Sequence, residues 1–257
     1  MGVCIEVRGG GKTYASSRGP VTALADVSLQ VRQGEFVSLL GPSGCGKSTL
    51  LRAIAGLDGL TAGEITCRGV VVREPPERIG MVFQRDVLLD WRSIRDNVLI
   101  AAEFQGLPRR AHEARAMALL ERFGLGAFAN RFPWELSGGM RQRAAICRAL
   151  LCEPEILLMD EPFGALDAMT RDDLNLELSR IQQDGERTVV FVTHSIAEAV
   201  YLSDRVAVMS TGPGRVVEVF DIALPRPRPL SIRETPEFVR HVAEIRGLFS
   251  RLGIVKE

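Results

Sequence analysis

Five short apolar runs punctuate the chain: Phe36-Val37-Ser38-Leu39-Leu40, Ile79-Gly80-Met81-Val82-Phe83, Ile156-Leu157-Leu158-Met159, Thr188-Val189-Val190-Phe191-Val192 and Val206-Ala207-Val208-Met209. Apolar runs of this length without strict alternation predict strands buried on both faces. Thr49 to Ala55, Arg141 to Leu150 and Leu174 to Gln183 carry helical composition and periodicity between them. Strands alternating with helices predict an α/β core with a mostly parallel sheet. Near the start the pattern differs. Val3 to Arg8 alternates, Gly9-Gly10-Gly11 interrupts, and alternation resumes from Thr22 to Val31. With Gly63 to Cys67 and Val70 to Val72 read as a hairpin around Arg68-Gly69, this predicts an antiparallel β subdomain.

From about Asp86 to Arg131 strand signals give way to helical ones, at Asn97 to Phe104 and Arg110 to Phe123, separated by Gly106-Leu107-Pro108. The expectation is one domain over 1–257. Its α/β core covers 1–85 and 136–224, with a helical lobe inserted at 86–135. The tail, 225–257, begins at Pro225-Arg226-Pro227-Arg228-Pro229 and reads as a linker plus one or two short helices. Val87-Leu88-Leu89-Asp90-Trp91, at the lobe's entrance, is either a small core or an exposed contact patch.

Gly41-Pro42-Ser43-Gly44-Cys45-Gly46-Lys47-Ser48 fits the phosphate-loop pattern G-x-x-x-x-G-K-[ST], between a predicted strand and a predicted helix. Glycines let backbone N–H groups converge on a phosphate at the positive end of the new helix. Lys47 should reach β- and γ-phosphates, and Ser48 offers a hydroxyl to Mg2+. Ligands of parallel sheets bind at the carboxyl ends of strands, where Gln84, Asp160, Glu161 and His194 all fall. Asp160 is placed to help hold Mg2+, Glu161 to polarise an attacking water, and His194 to bond that water or the γ-phosphate. Leu136-Ser137-Gly138-Gly139-Met140 forms a second anion-binding turn at a helix start. One nucleotide does not need two such sites in one chain, whereas a head-to-tail pair of chains does.

Formal net charge is +0, from 32 basic and 32 acidic residues, which argues against gripping nucleic acid. No apolar stretch approaches the roughly 20 residues of a membrane helix, and Met1 to Glu6 lacks signal-peptide character. A soluble, cytosolic chain is expected. Five cysteines without C-x-x-C spacing fit a reducing compartment, Cys147 and Cys152 reading as core fillers. Cys45 is either a small tolerated loop residue or a thiol made reactive by the helix N-terminus. Tyr14 is either ordinary packing or an aromatic plate for a nucleobase.

These motifs, in this order, resemble the ATP-binding subunit of an ABC transporter over almost the whole chain. The resemblance implies a phosphate-loop ATPase core hydrolysing ATP with Mg2+. In family terms Gly41 to Ser48 is Walker A, Ile156 to Asp160 is Walker B, Glu161 the catalytic base and His194 the switch histidine. Gln84 matches a Mg2+ ligand that senses the membrane partner, Ser137-Gly138-Gly139 the signature, and Ala165-Leu166-Asp167 the D-loop. Tyr14 fits the adenine-stacking aromatic. The residues so assigned to the nucleotide are Tyr14, Gly41, Pro42, Ser43, Gly44, Cys45, Gly46, Lys47, Ser48, Thr49, Gln84, Ser137, Gly138, Gly139 and Asp167. The metal falls to Ser48, Gln84 and Asp160, and catalysis to Lys47, Glu161 and His194.

Val82-Phe83-Gln84, Leu88 to Arg92, Asp96-Asn97-Val98, Phe163 to Asp167, and Leu224 to Pro229 followed by Pro236-Glu237-Phe238 are similar to the nitrate, sulfonate and taurine importers. Met140 departs from the glutamine common at the signature's fifth position, and the stretch from Tyr14 to Val21 is longer than the minimum. The partners implied are a second copy, a membrane permease and, through it, a solute-binding protein, with the chain peripheral at the cytoplasmic membrane face. The rival reading is a soluble ABC ATPase acting on ribosomes or DNA.

Overall fold

β1 (Val3–Tyr14) runs straight through the three glycines that were expected to interrupt it and pairs with β2 (Val21–Arg32) over nearly its full length. The register shifts between Val7 and Gly10 and again between Gly10 and Lys12, and Gly9 adopts φ +57. A bulge absorbs the extra residues without ending the pairing, and a glycine takes the left-handed position at little cost. With β4 (Ala62–Cys67) and β5 (Val70–Val71) these strands form a small antiparallel sheet in the order β2-β1-β4-β5. The computed structural model describes residues 2–17, 19–164, 166–183 and 187–254.

The larger sheet contains β3 (Phe36–Leu40), β6 (Ile79–Val82), β7 (Ile156–Asp160), β8 (Thr188–Thr193), β9 (Arg205–Met209) and β10 (Val216–Asp221), in the order β10-β9-β3-β8-β7-β6. All neighbours are parallel except β10, an antiparallel edge strand on β9. Every residue of β3, β7 and β8 is buried, which is why these strands read as unbroken apolar runs. Val37, Leu39, Leu158 and Val190 face α1 (Lys47–Ile54) and the small sheet, packing with Leu50, Leu51, Ile54, Ile5 and Val31. On the opposite face, Phe36, Leu40, Met159 and Phe191 pack beneath the remaining helices.

α2 (Ile94–Phe104) and α3 (Arg109–Arg122) occupy the stretch read as helical and pack with α4 (Gly138–Leu150) through Val98, Leu99, Ala116 and Leu120. Asn97 is fully buried at the lobe entrance. Its Oδ1 accepts from Leu89 N at 2.7 Å, while Nδ2 donates to the carbonyls of Leu89, Arg92 and Ser93 at 3.0 Å. That side chain pins the 89–93 turn. It leaves Val87 and Trp91 exposed, which makes the apolar cluster mainly a surface.

α5 (Ala168–Gln183) follows β7. α6 (Ile196–Leu202), like β10, carries too short a signal to have been anticipated. The tail departs furthest from expectation: it is fastened to the core and ends in one long helix, α7 (Pro236–Arg251). Phe238, Ile245, Leu248 and Phe249 of α7 join the core. Arg228 is buried, and its guanidinium donates to the carbonyls of Val200, Tyr201, Ser203, Ile222 and Leu224 at 2.9 to 3.4 Å. Tyr201 in turn donates its hydroxyl to the Arg228 carbonyl at 2.6 Å. The arginine thus satisfies carbonyls that the end of α6 leaves open. Burial, with the charge of Arg226 beside it, lowers its pKa to about 10. Arg228→Met should destabilise the chain by about 2–4 kcal/mol, because several buried carbonyls lose their donor. Denaturant titration checks this; a loss under about 0.5 kcal/mol, the range of ordinary surface changes, would contradict it.

Candidate functional site

The first turn of α1 is built to receive an anion. Gly46 sits at φ +99, and a side chain there would come within 2.7 Å of Ala23 O and Leu24 Cδ2, so only glycine fits. No side chain caps this helix, and its first turn holds no acid. Its N–H groups and positive dipole end therefore stay available. Lys47 is buried, and its Nζ donates to Gly41 O and Pro42 O at 2.9 Å each and lies 3.6 Å from Glu161 Oε1.

Cys45 is buried beneath the loop, its Sγ 4.0 Å from Lys47 Nζ. It is 1% exposed, and a methyl on Gly41 would lie 2.9 Å from its Sγ. Burial raises the thiol pKa above its ordinary value despite Lys47 nearby. Of the two readings of Cys45, the burial and the raised thiol pKa favour the small packing residue over the reactive thiol. In the folded protein Cys45 should label with maleimide at least about tenfold more slowly than in denatured protein, since the reagent needs accessible thiolate. Mass spectrometry of labelled peptides checks it; equal rates would contradict the packing.

β7 delivers Asp160 and Glu161 to the same opening. Ser48 Oγ donates to Asp160 Oδ1 at 2.7 Å. Burial raises the pKa of this carboxyl, with the Ser48 bond opposing. Glu161 adopts φ +44, a left-handed conformation that costs a non-glycine residue about 1–3 kcal/mol. The turn swings its carboxylate between Lys47 and His194, whose Nδ1 is 3.2 Å from Glu161 Oε2. His194, just past β8, has a side chain 54% exposed. Gln84, just past β6, completes the wall of a cavity of about 230 Å³ with Ser43, Gly44, Lys47, Ser48 and Glu161. Ligand pockets that bury small molecules run to about 300–1,000 Å³. This open cavity is of a size for phosphate groups rather than for a whole nucleotide.

Ser137, Gly138 and Gly139 form no part of that wall. They start α4, with Ser137 Oγ accepting from Met140 N at 3.3 Å, and Ser137 and Gly138 are exposed. Asp167 lies in the loop before α5, where its carboxylate accepts from Thr170 N at 3.0 Å and Thr170 Oγ1 at 2.7 Å. Those bonds lower its pKa. Ala165 of the same loop lies outside the described residues. Tyr14 is not in the cavity wall either. Its hydroxyl donates to Asp58 Oδ2 at 2.6 Å, and Lys12 Nζ, bonded to Asp58 Oδ1 at 2.5 Å, stands 4.9 Å from the ring centroid.

The segment read as either a small core or an exposed contact patch lines a second surface. A groove of about 350 Å³ opens between the ends of β6 and α2, lined by Phe83, Val87, Leu89, Ile100, Phe104 and Arg148 among others. Val87 holds φ +48, rare for a β-branched residue, and its carbonyl and that of Asp86 accept from Arg148 at 2.7 Å. Arg141 of α4 donates to Asp86 Oδ2 at 2.9 Å. The segment after Gln84 is thus tied to the helix that begins at Gly138. Among the described residues no group of three or more His, Cys, Asp or Glu could hold a metal unaided. Ser48 and Asp160 nevertheless offer hard oxygen donors of the kind Mg2+ takes alongside phosphates and water.

The ABC transporter family model matches residues 24–164. The chain is 49% identical to the taurine import ATP-binding protein of Rhizobium johnstonii, over 89% of each chain. It is 43% identical to the nitrate import ATP-binding protein NrtD of Synechococcus elongatus, over 90% of this chain and 85% of that one. It is also 40% identical to the aliphatic sulfonates import ATP-binding protein of Bacillus cereus, over 98% of each. Among solved structures, the dimeric ATP-binding cassette MJ0796, in a post-hydrolysis state bound to ADP and Pi, superposes with a TM-score of 0.78 at 33% identity. That match covers 86% of this chain and all of the other.

Proposed function

The chain belongs to the ABC transporter ATP-binding family, and on that premise we propose that it is the ATP-hydrolysing subunit of an import system for a small anion of the nitrate, sulfonate or taurine kind. The observation that carries the catalytic half is Glu161, held in a strained turn between Lys47 and His194 at the mouth of the phosphate loop. The import half and the solute class rest on the relatives.

ATP lays its β- and γ-phosphates on the free N–H groups of the loop and first turn of α1. Lys47, otherwise held by two loop carbonyls and Glu161, exchanges the carboxylate for phosphate oxygens. That exchange frees Glu161 to take a proton from the attacking water, and His194 steadies the water or the γ-phosphate from beside it. Ser48 and Asp160, with Gln84, would hold Mg2+, which supplies neutralisation of the phosphate oxygens. Tyr14 stacks on the adenine.

The small cavity is half of a site. A second copy supplies its own Ser137-Gly138-Gly139 and Asp167; Ser137, Gly138 and Asp167 are exposed on this chain, and none of the four lines its own cavity. Two ATP molecules then hold two chains together until hydrolysis releases them. No helix among the described residues is long and apolar enough to cross a membrane. By likeness to the import relatives, transport runs through a separate permease, against which the chain lies peripherally at the cytoplasmic face. The apolar groove beside Gln84, lined by Val87, 54% exposed, and Phe104, 83% exposed, suits a permease segment. A solute-binding protein delivers the anion from the other side.

Affinity purification of the tagged chain from its own cells, with and without ATP, tests this reading against the ribosomal one. A permease should co-purify in detergent, and deletion of the gene should abolish uptake of one of these anions. Sedimentation with ribosomes and unimpaired uptake would overturn it.

A further inference from the structure

His194 is carried by a turn that is pinned from inside by residues with no place in the mechanism so far. Ser195 caps α6 and accepts from Glu198 N at 3.3 Å, which in an ordinary capping box would let Glu198 reach back to the Ser195 N–H. Here Thr193 intervenes. Its Oγ1 accepts from Ser195 N at 3.0 Å and donates to Glu198 Oε2 at 2.6 Å. Thr193 and Glu198 are 2% and 6% exposed, while the imidazole between them in sequence turns outward to Glu161. The other oxygen of Glu198 lies 3.5 Å from Arg171 Nε, on the first turn of α5. Arg171 also donates Nη2 to Leu166 O at 3.0 Å. Leu166 reaches one element further, because a methyl on Gly139 would touch Leu166 Cδ2 at 3.4 Å and Thr170 Cγ2 at 3.2 Å.

A buried carboxylate therefore joins the turn bearing His194 to the loop before α5, and that loop abuts the Ser137-Gly138-Gly139 turn. A carboxylate in this environment persists only with its partners in place, since an unpaired buried charge costs several kcal/mol. Thr193 and Arg171 are its direct partners: burial raises the Glu198 pKa, and the Thr193 hydrogen bond and the Arg171 charge oppose that rise.

We infer that Glu198 is a positioning residue for hydrolysis: through Thr193 it sets the His194 turn, and through Arg171 it sets that turn together with the Leu166 loop. Each chain thereby ties the site it carries to the turn it lends to its partner. The inference rests on the reading of His194 as a group acting at the γ-phosphate.

Single-turnover ATP hydrolysis by Thr193→Val, Thr193→Ser and Arg171→Met, each in the native and the His194→Ala backgrounds, tests it. In the native background Thr193→Val should lower the hydrolysis rate about tenfold with nucleotide affinity within twofold, as sub-ångström misplacement of a catalytic group does. Thr193→Ser should restore the rate, and Arg171→Met should lower it about threefold, non-additively with Thr193→Val. With His194 already absent, both losses should shrink to under twofold. Equal losses in the two backgrounds, or a loss confined to affinity, would overturn the inference and leave the role of His194 intact. A fully active His194→Ala variant would instead overturn both. Arg171, half-exposed, supplies the same comparison should Thr193→Val fail to fold.

Discussion

Glu161→Gln lowers ATP turnover by about 10²–10⁴-fold, the usual contribution of a positioned general base, and leaves ATP affinity equal or tighter. Glutamine has the same shape, pays the same backbone cost at φ +44, and still offers an oxygen toward His194. It cannot accept a proton from water. It also no longer pairs with Lys47 across 3.6 Å, so the ammonium is released to phosphate without competition. The direction of the affinity change is therefore informative: loss of a base alone leaves affinity untouched, whereas loss of a competitor for Lys47 tightens it. Phosphate release and equilibrium nucleotide binding measure the two halves separately. Turnover within tenfold of the native chain would contradict the assignment.

Lys47→Ala weakens ATP binding by about 100-fold. Charge-assisted hydrogen bonds contribute about 1.5–3 kcal/mol each, and a 2.7 kcal/mol loss is two decades of affinity. The substitution also leaves Gly41 O, Pro42 O and the Glu161 carboxylate without their cation, so the loop itself loosens. Lys47→Arg should fail to rescue, because a planar fork does not fit a buried position shaped for a point charge. Nucleotide titration by fluorescence or calorimetry decides it; affinity within fivefold of native would contradict the role of the ammonium.

The sheet was readable because β3, β7 and β8 are buried on both faces and had to be apolar throughout. Gln84, Asp160, Glu161 and His194 were readable for a related reason, as each is the first polar break or the residue beside it after such a run. Reading failed where context reverses local chemistry. Gly9-Gly10-Gly11 signals a break, yet bulging keeps the strand paired. Pro225 to Pro229 looks like a linker, yet Arg228 takes the place of water on five carbonyls. The loop position of Cys45 left packing and reactivity both open, and only the burial beneath the loop decides between them. The Thr193, Glu198 and Arg171 set left no local signal, because Arg171 joins it from α5, before β8 in the chain.

That two chains together make one hydrolytic site is the claim on which the rest depends, and sedimentation of the Glu161→Gln chain with ATP tests it most directly. The predicted result is a dimer with ATP, a monomer without it, and a monomer in both conditions once Ser137→Phe is added. A Glu161→Gln chain that binds ATP and sediments as a monomer, or a dimer indifferent to Ser137→Phe, would contradict it.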